Sequence, residues 1–164
     1  MNHRDTEAQS TAQARGRIVA VSISERRGTK KTNVPSAVLE PDLGILGDAH
    51  AAPGKRQVSL LAIESIRTMQ ERGVEVGPGD FAENITTEGL ELFTLPVGTR
   101  LRLGASVLGE VTQIGKECHD RCEIYRQVGD CVMPREGIFI RILAGGALRP
   151  GDEVEVLPAA TQEG

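Results

Sequence analysis

Aromatic residues are scarce in this chain. Its 164 residues include Phe81, Phe93, Phe139 and Tyr125 but no Trp, too few ring faces for a platform on which nucleic-acid bases stack. Positive charge is not in excess either. Nineteen Lys and Arg against 23 Asp and Glu leave a net charge of −4, which argues against a surface built to hold nucleic acid or anionic lipid. No run approaches the roughly 18–20 apolar residues of a membrane span. The polar stretch from Met1 to Gly16 lacks the apolar core of a secretory signal. Cysteine is missing until Cys118, then recurs at Cys122 and Cys131. This odd, closely spaced set has nothing else to pair with. It is not the disulfide scaffold of a secreted protein; it reads as a thiol site, or a partial metal site, in a cytoplasmic one.

What the chain does have is a moderate apolar content, 39%, mostly Val, Ile, Leu and Ala, enough for a real core. It also has 19 Gly and 8 Pro. That density of breakers excludes a helical bundle and predicts short strands joined by many turns. Strand-like runs occur at Arg17 to Ser24, Arg56 to Leu60 and Val107 to Ile114. The segments RLRL (100–103) and EVEV (153–156) alternate, and each follows a Pro-Gly turn, as at equivalent corners of a small barrel. Ile138 to Leu143 suits strand or helix. One helix is expected near Ala62 to Arg72, where Ala62, Ile63, Ile66 and Met69 recur at helical spacing and Gly73 is a stop signal. Six to eight strands and one or two helices, without βα alternation, point to a mainly β barrel rather than a doubly wound sheet. The expected organisation is a disordered tail over 1–15, one domain over 16–158 and a short tail over 159–164.

Chemistry concentrates between Gly115 and Gly137, which holds the three cysteines, His119, Lys116, Arg121, Arg126 and Arg135. Cations near a thiol favour the reactive thiolate. Three readings compete there. A zinc site would need Cys118, His119, Cys122 and Cys131, but adjacent Cys118 and His119 seldom face one metal and no second ligand pair exists. Cysteines also serve as small buried apolar residues, which suits Cys131 beside Val132 and Met133. The third reading is a thiol that carries or transfers sulfur at Cys122 or Cys118. These two are four residues apart and would share a face if the segment were helical, so a non-catalytic disulfide redox module is a further alternative. Outside this segment, the long loop from Pro41 to Gly54 leads into His50, Lys55, Arg56 and Gln57, and a second turn carries Glu83 and Asn84. No P-loop, Rossmann glycine signature or metalloprotease helix occurs.

The order of these motifs is Gly47-Asp48-x-His50, Arg56-Gln57-Val58-Ser59-Leu60-Leu61, Gly79-Asp80-Phe81-x-Glu83-Asn84-Ile85, Leu95-Pro96-x-Gly98-Thr99, the cysteine segment, and Arg149-Pro150-Gly151-Asp152. It resembles the MOSC domain, named for the C-terminal part of molybdenum cofactor sulfurases, and within that family the small prokaryotic members. The resemblance implies a β-barrel that binds the molybdenum cofactor (molybdopterin), transiently or as a resident group, or that delivers sulfur as a cysteine persulfide. The family's Arg-Cys pair falls on Arg121 and Cys122, with Cys118 the alternative thiol and Cys122 the residue to ligate molybdenum. The residue pattern that larger members carry around that cysteine is missing here. A small molybdenum-dependent reductase of N-hydroxylated compounds is the alternative activity. The implied partners are a cysteine desulfurase or other sulfur donor and molybdenum-cofactor enzymes or biosynthesis proteins, with no nucleic acid and no membrane. Molybdopterin carries a phosphate and a polar pterin, so cationic and amide donors are needed. His50, Lys55, Arg56, Gln57, Glu83 and Asn84 are the candidates outside the cysteine segment, expected to share one mouth of the barrel with Cys122.

Overall fold

Alternation of apolar and polar residues decides most of the architecture. In the computed structural model, which describes residues 14–115 and 133–158, strands β1 (Arg15–Ile23), β7 (Arg100–Leu103), β8 (Val107–Ile114), β9 (Ile138–Ala144) and β11 (Glu153–Val156) send alternate side chains inward. With β5 (Val58–Ala62) and β6 (Ile85–Glu88) they close a seven-stranded barrel in the order β1-β11-β7-β8-β9-β5-β6, returning to β1. Closure leaves no long free sheet edge. Strand β2 (Thr32–Val34) takes over the edge of β1 beyond the point where β11 leaves it. A small second sheet of β3 (Ala37–Glu40), β4 (Gly44–Ile45) and β10 (Gly146–Leu148) adds Leu39, Ile45 and Leu148 to the barrel core.

Every barrel pairing is antiparallel except β5 with β6. A parallel pair needs a crossover, and helix α1 (Ile63–Glu71) supplies it. One βα unit therefore exists where the sequence reading saw none. All five residues of β5 are buried, because α1 and the following segment cover its outer side. Ile63, Ile66 and Met69 of α1, with Val76 and Phe81, pack on the outward faces of Leu61 and Phe139 to form a second core. The helix ends at Gly73 as a Schellman turn: Gly73 donates to the Gln70 carbonyl and Val74 to that of Met69. Helix α1 agrees with the expected span to within one residue at each end. Segment 138–144 is strand, not helix.

By strand direction, the C-terminal end of β1 and the N-terminal ends of β5 and β6 lie on one rim. The cysteine-bearing segment departs from the other, after β8, and returns at α2 (Met133–Glu136). Its base is pinned, as Gly115 N–H donates to the Gly137 carbonyl at 2.6 Å. The expectations for 1–13 and 159–164 lie outside the described residues. No described helix is long and apolar enough to cross a membrane.

Candidate functional site

The first rim is organised round two carboxyls. Asp48, whose side chain has no exposed surface, accepts from Lys31 Nζ at 2.8 Å and from the Ser24 N–H at 3.1 Å on Oδ1. Its Oδ2 accepts from the His50 N–H at 2.9 Å. Lys31, equally buried, also donates to Ser24 Oγ at 2.9 Å. Burial alone would raise the Asp48 pKa. The His50 side chain, Lys31 and the His50 N–H reverse that and hold the carboxyl well below its usual value. His50 stands beside this pair, with Nδ1 buried 3.7 Å from Asp48 Oδ2 and no hydrogen-bond partner.

Next to it, the Gly-Pro-Gly-Asp-Phe-Ala-Glu-Asn run (77–84) folds as a lap over the second core. Gly79 has φ +90°, and a Cβ there would sit 2.5 Å from the Lys31 carbonyl, so only glycine fits. Ala82, at φ 68°, is held in the same left-handed region despite its Cβ. The lap buries Glu83 completely. Glu83 Oε2 accepts from Gly79 N–H at 2.8 Å and from Thr86 Oγ1 at 2.6 Å, while Oε1 has no partner. Burial, opposed only in part by those bonds, pushes the carboxyl up to about 7. Asn84 stitches three strands together. Its Oδ1 accepts from the Ser59 N–H and hydroxyl, and its Nδ2 donates to the Ser22 carbonyl.

Beyond His50 the loop leaves this rim and crosses to the outer wall of β8 and β9. Thr112 Oγ1 donates to the Lys55 carbonyl. Gln57 is buried and anchors the loop: Nε2 donates to Asp42 Oδ1 and the Gly54 carbonyl, and Oε1 accepts from the Ile142 N–H. Arg56 remains exposed. Its guanidinium lies 5.4 Å from the centre of the Phe139 ring and Nε donates to Gln113 Oε1 at 3.3 Å. Gln113 Nε2 in turn donates to the Gly115 carbonyl. Arg56 thus stands at the foot of the cysteine-bearing segment. Beside it a cleft of about 430 Å³ is edged by Lys55, Arg141, Asp42, Glu110, Thr112 and Val97, with Arg141 paired to Glu110 at 3.2 Å, within the range of small-ligand sites.

The sequence candidates therefore divide. His50, Glu83 and Asn84 gather near the C-terminal end of β1, whereas Lys55 and Arg56 reach the foot of the cysteine-bearing segment. Gln57, Glu83 and Asn84 direct their polar atoms into the protein. Lys55, Arg56 and one edge of His50 keep theirs toward solvent. Cys118, Arg121, Cys122 and Cys131 lie outside the described residues. Among those described, no cluster of three or more His, Cys, Asp or Glu side chains could hold a metal ion. Sequence reading passed over Lys31, since one lysine in a turn, 17 residues from its partner, leaves no local signal.

A seven-stranded barrel with one parallel pair and a crossover helix, its β8 and β9 joined at the base by the Gly115–Gly137 bond, defines a mainly β domain class. A family model for the MOSC domain matches residues 46–155, and the chain belongs to that family. Solved structures share the fold. The YuaD protein from Bacillus subtilis superposes with a TM-score of 0.73 at 18% identity, covering 88% of this chain and 96% of its own. YiiM from Geobacillus stearothermophilus gives 0.70 at 19%, covering 90% and 77%, and YiiM from Escherichia coli gives 0.62 at 19%, covering 89% and 72%. No curated protein matches the chain.

Proposed function

We propose that this MOSC domain binds the molybdenum cofactor and passes it sulfur carried as a persulfide on Cys122, with Cys118 the alternative thiol. One observation carries the reading. Two exposed cations stand on the β8–β9 wall, Lys55 at the edge of a ligand-sized cleft and Arg56 bonded to Gln113, next to the base of the segment that bears the cysteines.

The donor set suits the cofactor's anionic end. The Arg56 Nε is engaged with Gln113, while its two terminal nitrogens have no partner among the described residues and present a fork suited to phosphate. Lys55 adds a second positive charge. Gln57 and the Thr112 hydroxyl hold the loop that carries these groups. When bound, the cofactor would supply a molybdenum centre as sulfur acceptor, and release of the persulfide's outer sulfur as sulfide would take two electrons from a thiol reductant, which leaves as its disulfide.

For sulfur uptake, the Cys122 thiolate attacks the outer sulfur of a donor's persulfide. A new S–S bond forms, the donor's S–S bond breaks, and the donor leaves as a thiolate. The electrons balance within the exchange, so no external oxidant is needed. Arg121 precedes Cys122 in the sequence, and a cation near a thiol favours its ionised form. A cytoplasmic cysteine desulfurase is the fitting donor, and a molybdenum-cofactor enzyme or biosynthesis protein the acceptor. Incubation with a desulfurase and cysteine, followed by intact mass measurement, should show one added sulfur that is lost in Cys122→Ala. A wild-type protein that gains no sulfur contradicts the carrier reading.

A further inference from the structure

His50 is the one first-rim candidate that keeps an open polar edge, and its surroundings define what that edge can do. Its side chain is 15% exposed. The buried nitrogen is Nδ1, which faces Asp48 Oδ2 at 3.7 Å and has no other partner. That separation is too long for a hydrogen bond, but it is short for electrostatics inside a low-dielectric rim. A bare Nδ1 lone pair would point at a carboxylate oxygen and be repelled; an N–H would be attracted. Asp48 keeps its charge because Lys31 Nζ and the Ser24 N–H both donate to its other oxygen. The His50 N–H bond to Oδ2 at 2.9 Å fixes the spacing between carboxylate and ring.

We propose that Asp48 and Lys31 are positioning residues that hold neutral His50 as its Nδ1–H tautomer. Its outer nitrogen, Nε2, is thereby left as a lone-pair acceptor. The identity of the protonated ring nitrogen follows from the negative charge that the buried one faces. The site on this rim then takes an N–H or O–H donor from a ligand and gives an oxyanion no hydrogen bond. A heterocycle with ring N–H and amino groups, such as a pterin, has the required chemistry, whereas phosphate belongs with Lys55 and Arg56. The choice of ligand rests on the cofactor reading; the tautomer does not.

The ring nitrogens report the tautomer directly. In ¹⁵N-labelled whole protein at mildly alkaline pH, long-range ¹H–¹⁵N spectra should show His50 with a protonated Nδ1 and a bare, pyridine-like Nε2. Asp48→Asn should move the population toward the Nε2–H form usual in free histidine. If that variant does not fold, the wild-type spectrum still decides. A predominantly Nε2–H tautomer in the wild type overturns the proposal. Unsubstituted pterin should shift the His50 Nε2 resonance, and inorganic phosphate should leave it in place. A pterin that leaves Nε2 unmoved, or a phosphate shift as large as the pterin shift, also overturns it. Loss of the cofactor reading would show separately, as an absence of pterin in protein made by a cofactor-producing host.

Discussion

Asp48 and Glu83 are two buried carboxyls near the same end of β1, and they are held in opposite states. One bonded path links them. Lys31 reaches Asp48 through Nζ, its N–H donates to the Gly79 carbonyl at 2.8 Å, and the Gly79 N–H donates to Glu83. Asp48 has an ammonium ion and two N–H donors shared between its oxygens, so it stays ionised. Glu83 has one satisfied oxygen and one orphan, with no cation among the causes of its shift, so it holds its proton up to about 7. What separates them is the number and charge of the donors each meets, since burial alone disfavours the ionised form of both.

Breaking the ion pair is expected to have the largest effect. Lys31→Met leaves Asp48 buried and uncompensated and should lower unfolding stability by about 3–5 kcal/mol, read from urea midpoints. An unchanged midpoint would mean that Asp48 does not need the ammonium.

The pH response comes next, and the two carboxyls drive it in opposite directions. Glu83 is raised from 4.5 to about 7, so its contribution is complete below 4.5 and is lost as pH rises to about 7. The loss amounts to about 3 kcal/mol at 1.36 kcal/mol per unit. Asp48 is lowered, so its contribution is present above its ordinary value and lost as pH falls below it. Glu83→Gln should abolish the fall in stability between about pH 4.5 and 7 while leaving the acid limb intact. A slope that survives the substitution would assign it to another group.

The smallest effect separates rim from wall. Arg56 is exposed and its contact with Phe139 is a surface cation–π pair. Arg56→Ala should therefore cost no more than about 0.5–1 kcal/mol, which leaves the variant suitable for binding measurements.

These differences mark how far the sequence could be read. The barrel was legible where strands alternate: RLRL buries every second residue, and in EVEV Val154 is buried while Val156 packs partly buried against the core. Helix α1 was legible from its apolar spacing and from Gly73. Strands β2 and β4 were not, because two or three residues hold no period. Strand β6 was masked by Thr86 and Thr87, polar residues that are fully buried. Motif order was enough to suggest the family, but it did not sort the site residues. Gln57, Glu83 and Asn84, polar groups among glycine turns, have the same sequence signature whether they face a ligand or, as here, turn their polar atoms into the protein. That distinction depends on burial, and burial is set by the lap and the barrel wall together.

Lys55 and Arg56 carry the functional reading, so cofactor retention tests it most directly. Wild-type protein and a Lys55→Ala/Arg56→Ala variant would be purified from a host that makes the molybdenum cofactor, and their pterin and molybdenum contents measured. The wild type should retain the cofactor, and the variant at least tenfold less, a loss of about 1.4 kcal/mol in binding. Equal contents in the two proteins, or no pterin in the wild type, would contradict it.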